Sequence, residues 1–300
     1  MRPEQPDEPE PDESEPDEPE QQPGAAGRRR RFADEARAER PDLAALCLLI
    51  GAEAGQGQDD AAVEARLDAA EMELDRLAGL LPFGLTGPRA WAAALAELLG
   101  ARLGFHGSGA DYQLLESSLL PEVLRRRRGL PILLSVVWIE VARRAGAPVY
   151  GLALPGHFVV GFGDPAERVL ADPFAGGQLL TGDDATRLVT AATGAPPPPG
   201  PPVPADPLDI VQRILNNIRA WAAARPERTD VALWAVELSL LLPAHPARLR
   251  YDRARLLIER GDYLAGAAAL EEYAEVVSAV EPSTAEALRR RARAARAMLN

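Results

Sequence analysis

The stretch 132–145 constrains this chain more than any other. It is apolar almost all round, which demands a helix buried on every side. Gly129 breaks the shorter helical run 118–127 ahead of it. Pro131 then supplies a preset φ at a first helical position, where no hydrogen bond is lost. Gly146-Ala147-Pro148 stops the helix, and three strand-like runs follow, 149–153, 158–162 and 168–171. Turns at 154–157 and 163–167 make an antiparallel meander the simplest connection. A buried helix followed by an antiparallel sheet predicts an α+β domain.

Residues 41–104 read as helices covering that core. Asp42 is placed to cap 43–50 and Asp60 to cap 61–80, and Pro88 precedes a helical stretch, 90–103, carrying Trp91, Leu95, Leu98 and Leu99. The Pro-rich run 195–207 reads as a spacer, spanning roughly 35–40 Å if extended as polyproline II; an aromatic groove would also accept it. Beyond it 208–300 is helical again, in runs 208–224, 230–242, 247–260, 263–280 and 284–298. Gly261-Asp262-Tyr263 makes a tight helix–helix turn, and Gly266 allows close packing after it. Helix pairs repeating at about 34 residues resemble tetratricopeptide units. About two units are visible, fewer than a free-standing solenoid needs, so they are expected to dock on the core or on another chain.

The net charge of −12 is not a global property. Residues 1–23 hold ten acidic side chains and one Arg, a charge of −9, which leaves the rest near −3. Acidic residues, repeated prolines and the basic run Arg28–Arg31 predict a disordered arm over 1–40, with the Arg run a solvated charge cluster. The expected organisation is arm 1–40, core domain 41–194, linker 195–207 and helical domain 208–300. No nucleic-acid surface is indicated, and no apolar stretch reaches the length of a membrane span or a secretory leader. A cytoplasmic protein is expected. The single cysteine, Cys47, permits no intramolecular disulfide and reads as a buried structural thiol. All basic side chains are Arg, so the chain has no side-chain amine of its own for amide crosslinking.

The chemistry-bearing residues lie around the apolar helix. His157 falls in Pro155-Gly156-His157-Phe158 and Asp172 in Asp172-Pro173-Phe174, so two adjacent strands can set an imidazole against a carboxylate. A thiol at a helix start, with such a pair beside it, performs acyl transfer: the helix N-terminus favours thiolate, the histidine takes the proton and the carboxylate orients the ring. Here the helix start holds Pro131, which has no attacking atom. Ser135 shares its helix face but stands one turn on, about 5–6 Å along the axis, beyond hydrogen-bond reach of an unshifted histidine. Its bland role is a hydrogen bond to a carbonyl in a buried helix. His157 and Asp172 have bland roles too, as turn residues. His106 and His245 sit in turns without metal-ligand spacing, and Gly104, Gly107 and Gly109 lack the lysine of a phosphate loop. No cofactor or metal is expected.

Arg127-Arg128-Gly129-Leu130-Pro131-Ile132, Leu134-Ser135, Glu140 to Arg144, Pro155-Gly156-His157-Phe158 and Asp172-Pro173-Phe174 resemble the bacterial SirB-type branch of the transglutaminase-like superfamily. The resemblance covers 43–300, tail included. It implies a papain/transglutaminase-like core in which the superfamily's cysteine position is Pro131, its His is His157 and its Asp is Asp172, with Gly129, Gly156 and Phe158 in the pocket. Where the family shows Asn-Ser before the core helix, this chain has Ser117-Ser118, and the preceding Asp-Pro is missing from 113–115.

Three readings of function follow. One is a non-catalytic binding or scaffold protein, a pseudo-enzyme whose cleft holds an acyl-like or peptide segment and whose helical tail docks a protein partner. Another is a residual hydrolase or acyltransferase using Ser135 or water, with His157 as base and Asp172 as orienter. A third is a regulatory protein acting through the acidic arm.

Overall fold

A computed structural model of the chain describes residues 24–55, 57–167, 169–196 and 203–298. The acidic stretch 1–23, Arg168 at the expected start of the third strand, residues 197–202 of the Pro-rich run and the last two residues lie outside the described set.

Among the described residues five α-helices precede the hub: α1 (Ala25–Glu35), α2 (Leu43–Glu53), α3 (Asp60–Ala78), α4 (Pro88–Leu95) and α5 (Leu120–Arg126). Asp42 caps α2 as expected, its side chain accepting from the Ala45 N–H at 3.0 Å. Asp60 does not cap α3; it lies inside the first turn and accepts a 2.9 Å hydrogen bond from Arg28 instead. The stretch expected as one helix over 90–103 changes winding, with α4 passing into a π-helical turn, Ala96–Arg102.

The hub is α6 (Pro131–Arg144). Every residue from Pro131 to Ala142 is buried, as its all-round apolar surface requires. The strands form an antiparallel meander in the order β1 (Val149–Leu154), β2 (His157–Phe162), β3 (Val169–Asp172) and β4 (Gln178–Leu180). The fourth is too short for an alternation to show in sequence. Phe158, Val160 and Phe162 enter the main core with α6. Leu152, Val159 and Leu170 alternate to the other face, closed by Ala185 of α7 (Gly182–Thr193).

The array that follows comprises α8 (Pro207–Ala223), α9 (Thr229–Leu241), α10 (Arg248–Glu259), α11 (Tyr263–Val277) and α12 (Pro282–Ala297). Close packing comes where Gly266 was expected to allow it: a Cβ there would lie 2.5 Å from Ile258.

Two sequence expectations are corrected. The disorder expected over 1–40 does not hold for its described part, residues 24–40. Helix α1 buries Phe32 completely, and Arg28 is only 7% exposed. The Arg run is not a solvated cluster, because carboxylates from three helices meet it. Arg28 pairs with Asp60, Arg31 with Glu64, and Arg29 binds both oxygens of Glu53 at 2.9 and 2.8 Å and Glu237 at 2.7 Å. Composition averaged over the arm hid one amphipathic segment with partners far along the chain.

Nor does the Pro-rich run separate one core from another. Ala205 donates its N–H to Gly151 on β1 at 2.8 Å. Ile210, Val211, Ile214 and Leu215 of α8, with Val231 and Trp234 of α9, join the main core. Leu233 and Val236 on the other face of α9 open a second core with α10 to α12. Short helical arrays bury too little by themselves, and here the first pair is sealed against the α+β layer.

Candidate functional site

Pro155 and Gly156 form the β1–β2 turn. Gly156 has a φ of 73°, the left-handed region that a turn of this kind reserves for glycine. Leu154 pairs with His157 across it, so the imidazole projects from the first position of β2. Asp172 ends β3. Its Oδ2 lies 2.9 Å from Nε2 of His157, and its Oδ1 accepts the N–H of Phe174 at 2.9 Å. Both carboxylate oxygens are therefore engaged, and the ring is oriented through Nε2, leaving Nδ1 as its other polar atom. The His157 side chain is 12% exposed and that of Asp172 6%.

The Phe174 ring meets His157 edge-on, with centroids 5.9 Å apart, and Tyr112 at 6.2 Å. Gly107 makes this seat: a Cβ there would lie 2.0 Å from the Phe174 ring and 2.8 Å from the Gly129 carbonyl. Its N–H donates to the Phe174 carbonyl at 3.0 Å. Behind the segment after Asp172, the π-helical turn brings Gly100 so close that a Cβ would fall 1.8 Å from the Gly176 carbonyl oxygen.

The helix start is built as the sequence predicts, yet it holds no nucleophile. Leu130 is extended and donates its N–H to the Ser117 carbonyl at 2.9 Å; Pro131 then opens α6. Gly129 has no room for a side chain, since a Cβ would meet Val123 at 2.7 Å. Ser135 is fully buried and donates to the Phe158 carbonyl at 3.4 Å, a carbonyl on β2 and not one within its own helix. Phe158 points its side chain into the core with α6, whereas His157 has the opposite strand parity. Besides the side-chain packing, α6 therefore contacts β2 at the Phe158 carbonyl, which is the acceptor that faces the Ser135 hydroxyl.

Three contributors escaped sequence analysis. Buried Asp111 accepts from the Ser108 N–H at 2.8 Å, the Ser108 hydroxyl at 3.0 Å and Arg128 at 2.8 Å, tying the 108–113 loop to the Gly129 segment. Burial pushes the Asp111 carboxyl up, but the Arg128 and Ser108 hydrogen bonds hold it below its ordinary value. The Ser108–Asp111 spacing of a capping box was its available signal. Tyr112 stands over Phe174; burial pushes its phenol up, with Arg213 opposing the shift and Asp172 adding to it. Arg213 of α8 donates to the Leu154 and His157 carbonyls at 3.0 and 2.9 Å, and burial lowers its pKa. Nothing local in the sequence marks it.

Other candidates fall outside the site. His106 bonds the Gly104 carbonyl and His245 the Leu242 carbonyl, as turn residues do. Cys47 is buried, and burial beside Glu140 and Asp42 pushes its thiol up. Among the described residues no cluster of His, Cys, Asp and Glu could hold a metal, and no helix is long and apolar enough to cross a membrane.

A family profile described as the Transglutaminase-like superfamily matches residues 61–216, just over half of the sequence. The chain belongs to this superfamily. A tetratricopeptide repeat profile matches residues 218–300, so the helical tail is of that type. This transglutaminase-like chain is 33% identical over 174 residues to a UPF0162 protein of Xylella fastidiosa, covering 56% of this chain and 62% of that protein. It is 34% identical over 160 residues to a UPF0162 protein of Pseudomonas aeruginosa, covering 52% and 58%. A stretch of 81 residues is 33% identical to F-box only protein 21 of Mus musculus, 27% of this chain and 13% of that protein. The chain spans less than two thirds of the length of these relatives. The two profiles meet inside α8, the helix that holds the β1–β2 turn.

Proposed function

We propose that this is a non-catalytic, cytoplasmic transglutaminase-like scaffold. The cleft around Pro131, His157 and Asp172 holds an acyl-like or peptide segment, and the tetratricopeptide helices dock a protein partner. The observation that carries the reading is the state of the two nucleophile candidates. Pro131 has no attacking side-chain atom, and Ser135 is fully buried with its hydroxyl 3.4 Å from the Phe158 carbonyl. Tetratricopeptide helices commonly mediate protein association, which favours the second half of the reading. The test is turnover of amide, peptide and transamidation substrates by the native protein, with Pro131→Cys alongside. No native turnover is expected; native turnover abolished by His157→Ala refutes the reading.

One observation favours a second reading. The His157–Asp172 pair is oriented through Nε2 as a general base requires, so a water near Nδ1 would be its substrate for activation. Hydrolysis that survives Ser135→Ala but not His157→Ala would establish it.

A further inference from the structure

Helix α8 grips both rims of the His157 site. From its first half, Arg213 donates from one nitrogen to the Leu154 and His157 carbonyls, the two residues that close the β1–β2 turn, and its guanidinium lies 5.7 Å over the Phe158 ring. From its last turn, Trp221 Nε1 donates to the Gln113 carbonyl at 3.0 Å. Arg225, just beyond the helix, stacks over the same indole at 4.3 Å and donates to the Gln113 side-chain oxygen at 2.9 Å. Gln113 follows Tyr112, whose ring meets Phe174, which in turn meets His157. Arg213 and Trp221 stand about 12 Å apart along the axis of α8, so one stiff rod spaces the two rims.

The same helix bounds a cleft of about 570 Å³ against α9 and α10, with Arg219, Arg225, Asp252 and Arg255 in its wall. Arg219 pairs with Asp252 of α10 at 3.1 Å. Whatever shifts α10 against α8 therefore acts beside the guanidinium that holds Gln113.

We propose that α8 is the element through which the tetratricopeptide array sets the geometry of the His157–Asp172 site, with Arg213 and Arg225 as positioning residues. This deepens the scaffold reading by assigning regulation to its cleft. Its test reads the histidine directly, so it fails or stands whether or not a ligand ever binds there.

The experiment uses the full chain with ¹⁵N-labelled histidine. Only three histidines are present, and His106→Ala and His245→Ala assign the ring signals by subtraction. Arg213→Met is expected to shift the His157 ring nitrogens and to speed amide exchange in the β1–β2 turn about tenfold. Arg213→Lys, which can still donate to a carbonyl, should partially restore both. Arg225→Met should shift the His157 ring through Gln113 and Tyr112. Arg219→Met, which cuts the pair with Asp252 of α10, should move the same signals, whereas Arg296→Met, which breaks an exposed pair with Glu271 between α12 and α11, should leave the ring where it was. If Arg213→Met does not fold, Arg213→Lys and Arg225→Met decide the matter. Unmoved His157 signals in folded Arg225→Met and Arg219→Met overturn the proposal, and so does an equal response to Arg296→Met.

Discussion

Ser135 turns its hydroxyl to the carbonyl of Phe158, 3.4 Å away, so the hydroxyl on the helix that should carry a nucleophile faces strand backbone. Ser135→Ala is expected to cost about 1 kcal/mol in denaturant unfolding, the worth of one long neutral hydrogen bond. A fluorophosphonate probe should leave Ser135 unlabelled in the native protein. Labelling at that residue would contradict its commitment to Phe158.

Cys47 tests the core from inside. Its thiol is buried and pushed above its ordinary value by desolvation, with Glu140 and Asp42 adding to the shift. Iodoacetamide should not modify the native protein at pH 8 and should modify it stoichiometrically in guanidinium, as read by intact mass.

Asp111 sets a pH dependence. Its carboxyl titrates lower in the folded chain than in the unfolded one, because Arg128 and Ser108 bond its charged form. The stability it contributes is present in full above the unfolded value, about 3.9, and is lost as pH falls below that through the folded value. Asp111→Asn should destabilise the protein at pH 7 by about 1–3 kcal/mol and flatten the acid limb of unfolding free energy against pH. An unchanged acid limb would show that the carboxylate is not bonded as described.

Arg29 joins α1 to Glu53 of α2 and to Glu237 of α9, which also pairs with Arg253 of α10. Arg29→Met should lower stability by about 2–3 kcal/mol, since a mostly buried ion network loses its centre. A double-mutant cycle with Glu237→Gln should return a positive coupling energy; additivity would mean that the network is decorative.

Gly100→Ala places a methyl against the Gly176 carbonyl, where the obstacle is backbone and cannot rotate away. A loss of roughly 3 kcal/mol or more is expected. Because Gly176 closes the segment that starts at Asp172, the His157 ring signals should move in any folded fraction.

Local chemistry made much of this legible beforehand. The apolar surface of 132–145 announced a central helix, Pro131 marked its first residue, and Pro155-Gly156 marked the turn that lifts His157. The pairing of His157 with Asp172 also followed from a meander, because adjacent antiparallel strands bring their ends together. Each of these rests on interactions among near neighbours in the chain, which periodicity and turn residues encode directly.

Other features had no such encoding. The Arg run at 28–31 looked solvated until Asp60, Glu64, Glu53 and Glu237 arrived from three other helices. Nothing near Arg213 betrays that its guanidinium will hold the Leu154 and His157 carbonyls, and nothing near Ser135 betrays the Phe158 carbonyl as its acceptor. A charge or a hydroxyl carries no address. Residue order determined the helix start without a nucleophile and the strand pair that orients an imidazole. Packing alone decided which distant groups satisfy the polar atoms around them, because desolvation penalises every unpaired choice and only the assembled core supplies the partners.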